Sequence, residues 1–450
     1  MSIDTRDPYH VAHESYRVIS RDLAEGDSLS LRAKSLYGSA AYAVNMTPAY
    51  NRTSYFYMNY LPKEAGENDQ SYINRLNRTF YFNAYSEAVS KTIGKVFDKE
   101  LRLADDVTNP AVIQMAEDID FCGNHLQVFA NQFLKDFILD GVNYFLVDYP
   151  DTSDAQVRVR QEGREWSKQD EINLNARPFF TRYSADQVYS IDYDIIDGRK
   201  VLTQVRIRCV ETVKVDEFTR KDADYIYVLD LYNGKYRIRK FAKDKYGGWE
   251  LMDGKERITH LDYIPLIIMS NHSNPFMSKP VYMSLADKTI QLYQMQSDFT
   301  NLVHVSCVPL LNIVGYSQEE LFGDANDSNT TPALNIGMGR AFVSSNPDAK
   351  TFYTEAKGDS LEQARLAIES IKHEMQFLGL PELLTRPTGS ETATARALDQ
   401  AESDTRLTMM ATSLKDCIEN GLKMAGDWLG MSYDSVGSII MNTTFNELDK

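Results

Sequence analysis

The pattern that most restricts this chain is a pair of helical stretches, Val281–Ser306 and Leu361–Leu378, on either side of a segment rich in strand and turn signals. In the second stretch Leu361, Ala364, Ile368, Ile371, Met375 and Leu378 recur at alternating steps of three and four, which lines them along one helix face. At ~1.5 Å of rise per residue that helix would be roughly 27 Å long. The first stretch repeats the stripe with Leu285, Leu292, Met295, Phe299 and Leu302, while its other face, Gln291, Gln294, Ser297 and Asn301, is polar but uncharged. Between the two, turn signals at Gly315, Gly323, Asn326 to Pro332, Gly337, Gly339 and Asn346-Pro347 separate short runs such as Leu310–Val314 and Ala341–Val343. Two long rods holding out a β module make a spacer, which suits an assembly better than an enzyme cleft.

Downstream, Pro381 and Pro387 interrupt helix across Leu380–Ser390. Glu391 to Gly430 then runs without proline, with Leu407, Ala411, Leu414, Ile418, Leu422, Ala425 and Leu429 on one stripe, so one very long helix is predicted. Upstream, residues 1–36 read as one or two amphipathic helices with a break near Gly26, and 37–69 as an irregular arm rich in Tyr, Asn, Ser and Pro. A near-helical spacing runs through Ser71–Phe97, and further helices are predicted over Pro110–Asp118 and His125–Asp140. Asn143–Asp148 reads as a strand stopped by Tyr149-Pro150. From Pro178 to Ser270 the period falls to two, and Asn233-Gly234 between Tyr225–Tyr232 and Lys235–Phe241 is a strong hairpin signal. Another turn is expected at Gly247-Gly248. The expected class is α+β, with one mostly antiparallel sheet over Pro178–Ser270.

A chain of 450 residues can bury a sizeable core and divide into several units. Its formal charge of −16 works against gripping a phosphate backbone. Two basic clusters, Arg158, Arg160 and Arg164, then Arg237, Arg239, Lys240, Lys243 and Lys245, lie on apparent strands and read as solvated strand faces. A sequence-reading DNA binder is therefore not expected, although an acidic protein can enclose DNA without holding it. Cys122, Cys209, Cys307 and Cys417 lack metal-site spacing and are expected as reduced, mostly buried thiols. No apolar run approaches the ~20 residues of a membrane helix, and the N-terminus lacks a signal-peptide pattern, so synthesis in the cytosol without membrane insertion is expected.

Phosphate-loop, zinc-protease and nucleophile-elbow motifs are absent. His10 and His13 share a helical face but make a weak metal site, and His304 and His373 on the two rods suit helix packing. Asp148, at a strand end, is where an α/β enzyme might keep a carboxylate, yet no nucleophile stands near it in sequence. No catalytic residue, metal or cofactor is expected; an active site assembled from distant residues stays open.

Four stretches carry a family resemblance. They are Tyr60-Leu61-Pro62-Lys63 with Gly66, Tyr72 and Asn83; Gly141 to Pro150; Leu285-Ala286-Asp287 with Tyr293, Ser297-Asp298 and Val308-Pro309; and Glu391-Thr392-Ala393 to Ala397. In this order, across roughly Tyr60–Gly430, the chain resembles the portal, or head–tail connector, proteins of tailed bacteriophages. Residues 37–58 look like an insertion relative to that pattern, and the tail is short. The resemblance implies residues 1–59 as an N-terminal arm, 60–177 as a mainly helical wing part and 178–280 as a β-rich wing part. It implies 281–306 and 359–379 as stem helices, 307–358 as the clip, 380–390 as a tunnel loop, and 391–450 as a long wing helix with a short crown.

Portals are rings, usually of about twelve identical subunits joined by heterologous interfaces, at one capsid vertex. The implied function is a conduit for DNA packaging and ejection, and a docking platform for large terminase and head–tail adaptors, seated in the major capsid protein. The virion and, during assembly, the host cytoplasm are the implied locations. Twelve copies would sum to roughly −190 charges, a lining through which duplex DNA passes without being held. Glu382, Thr385, Arg386, Thr388 and Ser390 would approach the duplex, with Arg386 either touching phosphate or pairing with an acidic neighbour. Leu285, Leu292, Phe299, Leu302, Leu361, Ile368, Ile371 and Met375 would pack stems against each other and against neighbouring copies. Such a chain is not an enzyme; ATP hydrolysis belongs to a separate motor. Two alternatives stay open: another capsid-associated adaptor or minor virion protein, and a phage nucleic-acid enzyme.

Overall fold

The computed structural model describes residues 3–26, 60–105, 107–244, 247–306, 310–317, 344–354, 359–378, 393–431 and 436–445. The chain is α+β. Helix α1 (Pro8–Glu25) begins where Asp7 accepts the Tyr9 amide at 2.8 Å and Pro8 supplies a preset φ. The helix expected across Ser71–Phe97 is two: α2 (Asp69–Arg78) and α3 (Ala84–Val96). The aromatic run Phe80-Tyr81-Phe82 favours extended backbone, and Asn83 restarts the helix by accepting the Ser86 amide at 3.0 Å. A short strand β1 (Arg102–Leu103) and helices α4 (Pro110–Glu117) and α5 (Leu126–Asp140) follow.

Gly141 closes α5 at φ 77° and turns the chain directly into strand β2 (Val142–Asp148). Two short helices, α6 (Ser153–Gln161) and α7 (Lys168–Asn173), lead to β3 (Phe179–Tyr183). Arg158 and Arg160 therefore sit on a helix, not on a strand. The alternation around Val157 and Val159 imitates a strand, but it is set among good helix formers with no sheet partner beside it.

Strands β4 (Val188–Ile196), β5 (Arg199–Lys214), β6 (Arg220–Tyr232), β7 (Lys235–Lys243) and β8 (Trp249–Ile258) form a five-stranded antiparallel meander. The Asn233-Gly234 turn has the expected form, with Asn233 at φ 50° and Gly234 at φ 72°. The region Pro178–Ser270 is nevertheless not one sheet. β3 and β9 (Leu266–Ser270) flank β2 in a separate three-stranded sheet, so a division at residue 177 runs through that sheet. The two sheets share one core, built by Val142, Tyr144 and Leu146 from β2 with Val188, Val205, Ile207, Leu229 and Tyr236 from the meander.

The remaining elements are α8 (Met283–Ser306), β10 (Leu310–Val314), β11 (Lys350–Thr354), α9 (Asp359–Leu378), α10 (Ala393–Trp428) and β12 (Ile439–Ile440), the last paired with β1. The described residues fall into two compact units. One draws on 1–62, 81–291 and 372–450, the other on 63–80 and 292–371. In the first, Phe145 packs against Phe180, Phe133 and Phe129 with ring centroids 4.8, 5.1 and 5.6 Å apart. Gly421 of α10 lets that helix approach this cluster, because a Cβ there would lie 2.6 Å from the Phe145 ring.

Candidate functional site

The two rods and the module between them are the candidate site, since they are the segment that the sequence pattern singles out. Among the described residues no group of His, Cys, Asp and Glu has metal-holding geometry. Among them also, no helix is long and apolar enough to cross a membrane.

In the first unit, the start of α8 carries Leu285 and Ala286, both buried, and Lys288 Nζ meets Glu374 Oε2 of α9 at 2.5 Å. Met375, one turn of stripe from Ile371, is buried as well. Tyr282 shares a hydroxyl–hydroxyl hydrogen bond of 2.7 Å with Thr92 of α3. Burial raises the Asp287 carboxyl above its ordinary range.

The second unit explains the polar face of α8. Ser297 is buried and receives hydrogen bonds from Thr79 Oγ1 at 2.8 Å and Arg75 Nη1 at 3.4 Å, and Asn301 Oδ1 accepts from Arg78 Nη2 at 2.9 Å. The face of Gln291, Gln294, Ser297 and Asn301 is thus partly a seat for α2, whose end presents Arg75, Arg78 and Thr79 at steps of three and four. That seat was missed in the sequence, although the spacing of Arg75 and Arg78 was its signal. Arg75 is held by Glu67 at 2.9 and 2.7 Å, and this hydrogen bonding lowers the Glu67 carboxyl below its ordinary range. Asp298 is raised by burial despite Arg75 at 3.9 Å.

Beyond α8, β10 and β11 pair antiparallel from Leu310↔Thr354 to Val314↔Lys350. Gly315, at φ 82°, ends β10, and its carbonyl accepts from Asn346 Nδ2 at 3.0 Å. The ribbon is two strands wide among the described residues, and it exposes Val314 at 54%, Phe352 at 50% and Tyr353 at 57%. Alternation places Phe352 and Tyr353 on opposite faces, so each face of the ribbon carries a half-exposed aromatic ring. A two-stranded ribbon is marginal in water without a packing partner. On α9, Leu366 and Phe377 are exposed, and Arg365 is clasped by Glu362 and Glu369.

Of the residues expected to pack the rods, Leu285, Leu292, Ile368, Ile371 and Met375 are buried within the single chain, and Phe299, Leu302 and Leu361 are half-buried. Glu382, Thr385, Arg386, Thr388 and Ser390 lie outside the described residues, as does Cys307. His304 and His373 are exposed, the latter 5.1 Å from the Phe377 ring. Asp148 Oδ1 accepts from Arg257 Nη2 and from the Tyr149 amide, both at 2.7 Å, while burial raises its carboxyl. Cys209 and Cys417 are pushed up to about 12 by burial, but Cys122 is exposed at the turn after α4, against the expectation of buried thiols. The described members of the second basic cluster are paired inside the meander, while Lys245 lies outside the described residues. Arg237 and Arg239 reach Asp230 at 2.7 and 2.6 Å, and Lys240 reaches Glu211 at 2.7 Å.

A family profile described as a domain of unknown function (DUF4055) matches residues 282–429. Those limits run from the residue before α8 to the residue after α10, so the profile spans the two rods, the module between them and the long final helix. It covers about a third of the chain. No curated protein matches the sequence.

Proposed function

We propose that this chain is the subunit of a portal ring of a tailed bacteriophage. In that reading α8 and α9 are the stem, the β10–β11 module is the clip, and α10 returns to a wing built on the two sheets. The observation that carries the proposal is the ribbon with half-exposed apolar side chains on both faces, between two long helices and within a segment that one family profile spans. An edge pair with aromatic residues on both faces is what a ring subunit needs, because the neighbouring copy supplies the missing strand and cover. Since Leu285, Leu292, Ile368, Ile371 and Met375 are already buried in one chain, contacts between copies fall to Leu366, Phe377, Val314, Phe352 and Tyr353, with Phe299, Leu302 and Leu361 at the margin.

The mechanism is passive. A ring of about twelve copies closes by heterologous contacts, and its acidic lining gives the duplex no counterion-release sink. In that reading Glu382, Thr385, Arg386, Thr388 and Ser390, which lie outside the described residues, would approach the duplex. Large terminase during packaging, and then head–tail adaptors, dock on the clip, and the wing sits in the major capsid protein of the virion. Mass photometry and class averages of the purified chain test this. Closed rings with a channel wide enough for a duplex are expected. A monomer, or a ring without a channel, would move the assignment to another virion adaptor; nuclease or ATPase activity that copurifies with a monomer and is lost in Asp148→Asn would move it to an enzyme.

A further inference from the structure

The side of α1 turned into the first unit is polar. His10, Glu14, Arg17 and Arg21 recur at steps of four, three and four on one face, and His10, Glu14 and Arg17 are all at least nine-tenths buried. Three of these residues have defined partners. Arg21 takes both oxygens of the buried Asp140, at 2.9 and 2.6 Å, Glu14 accepts from Arg6 at 3.2 Å, and His10 Nε2 donates to the Ala185 carbonyl at 2.7 Å. Arg17 is the exception. It is 5% exposed, and its Nε, Nη1 and Nη2 are buried without a hydrogen-bond partner.

Two more buried atoms on this seam share that condition: Tyr144 Oη from β2 and His10 Nδ1. Both residues are fully enclosed; burial pushes the His10 imidazole down and the Tyr144 hydroxyl up, and the Arg17 charge acts on both, adding to the first shift and opposing the second. A guanidinium stripped of water with no acceptor is strongly unfavourable, so an acceptor is expected beside it. Of the nearby carboxylates, Asp140 is engaged by Arg21, Glu14 by Arg6, and Asp186 accepts from Ser184 Oγ at 2.6 Å.

We propose that Arg17, Tyr144 and His10 hold a small protonated oxyanion of the hydrogenphosphate or bicarbonate class. The donor pattern selects that chemistry. Arg17 offers a planar fork of N–H groups suited to paired oxygens. Because Nε2 donates to Ala185, Nδ1 of the neutral ring presents a lone pair, so the ligand must also bring a hydroxyl. A halide satisfies the fork but has nothing to give Nδ1. The Tyr144 hydroxyl completes the set as donor or acceptor.

The test refolds the full chain from denaturant at pH 7 in sodium phosphate, sodium bicarbonate or sodium chloride of equal ionic strength, so that a buried site can load, and follows thermal unfolding. A saturable rise in Tm with phosphate or bicarbonate that chloride does not reproduce is expected, and the responding salt identifies the ion. Arg17→Met should abolish the rise, and Tyr144→Phe should weaken the apparent Kd about tenfold. Should Arg17→Met not fold, Arg17→Lys keeps the charge without the fork and should weaken it at least as much. An equal rise in all three salts, no rise in any, or an unchanged Kd in the Arg17 and Tyr144 variants would overturn the proposal and leave ordered water as the acceptor.

Discussion

The β2-centred sheet and the β10–β11 ribbon are both antiparallel, yet they are built on opposite principles. β2 is paired on both edges and buried from Val142 to Val147, with α5 joined to it by a single glycine and α10 pressed on the Phe145 cluster. Among the described residues the ribbon is paired on one edge per strand, and it leaves half or more of Val314, Phe352 and Tyr353 to solvent. The first sheet contains its own reasons for stability. The second is intelligible only with something laid over it, and in the proposed ring that is the next copy.

This contrast fixes an order of expected effects. Gly141→Ala should be the most damaging single change, because the residue needs positive φ and the new Cβ would run into the Lys279 backbone carbonyl. A loss of more than about 4 kcal/mol in denaturant unfolding is expected; a loss below about 1 kcal/mol would mean that the α5–β2 corner is not rigid. Phe145→Ala should follow at about 3–4 kcal/mol, since neither β2 nor α10 can collapse into the space it leaves. In the second unit, Arg75→Ala strips Glu67 and Ser297 together and should lower stability by about 2 kcal/mol, discounted because Glu67 keeps some access to water. A double-mutant cycle with Glu67→Gln measures the coupling.

His10 gives the first unit a pH signature. Burial, reinforced by Arg17, lowers its pKa to about 3. A depressed pKa means that the unfolded chain takes up the proton first, so the His10 contribution is complete above pH 6.5 and declines as pH falls from there towards 3. The slope is about 1.4 kcal/mol per pH unit, or about 2 kcal/mol lost at pH 5. Subtracting the pH profile of His10→Gln isolates it, and parallel profiles would refute it. The smallest effect on the single chain should come from the ribbon. Phe352→Ser with Tyr353→Ser should change its unfolding free energy by no more than about 0.5 kcal/mol while reducing the ring fraction seen by mass photometry. A large destabilisation would show that the ribbon is covered by its own chain, and would break the contrast.

Much of the fold was legible because its signals are local. Period, prolines and caps located both rods, the long α10 and the Asn233-Gly234 turn within a few residues. The errors arose where local signals were ambiguous. Phe80-Tyr81-Phe82 continues an apolar spacing but breaks the helix, and Val157 and Val159 alternate within one. The candidate site was half legible. Its rods and the strand Leu310–Val314 stood out, whereas Lys350–Thr354 was not read as a strand and Ala341–Val343 lies outside the described residues. The docking of α2 on Ser297 was not legible either, because Arg75 and Ser297 lie far apart in sequence and polar pairs leave no periodic trace.

By itself the sequence determined most of the long helices, the Asn233-Gly234 turn, and the order rod, module, rod, long helix, because each depends on interactions within a turn or two of backbone; the sign of the net charge follows from composition alone. Tertiary structure alone decided that β2 leaves its helical neighbourhood to become the centre of a sheet, that the basic residues of β7 are spent on Asp230 and Glu211, and that Arg17 is enclosed without a partner. Those outcomes depend on which distant groups share a space from which water has been expelled. There, pairing and desolvation outweigh anything the local chain prefers.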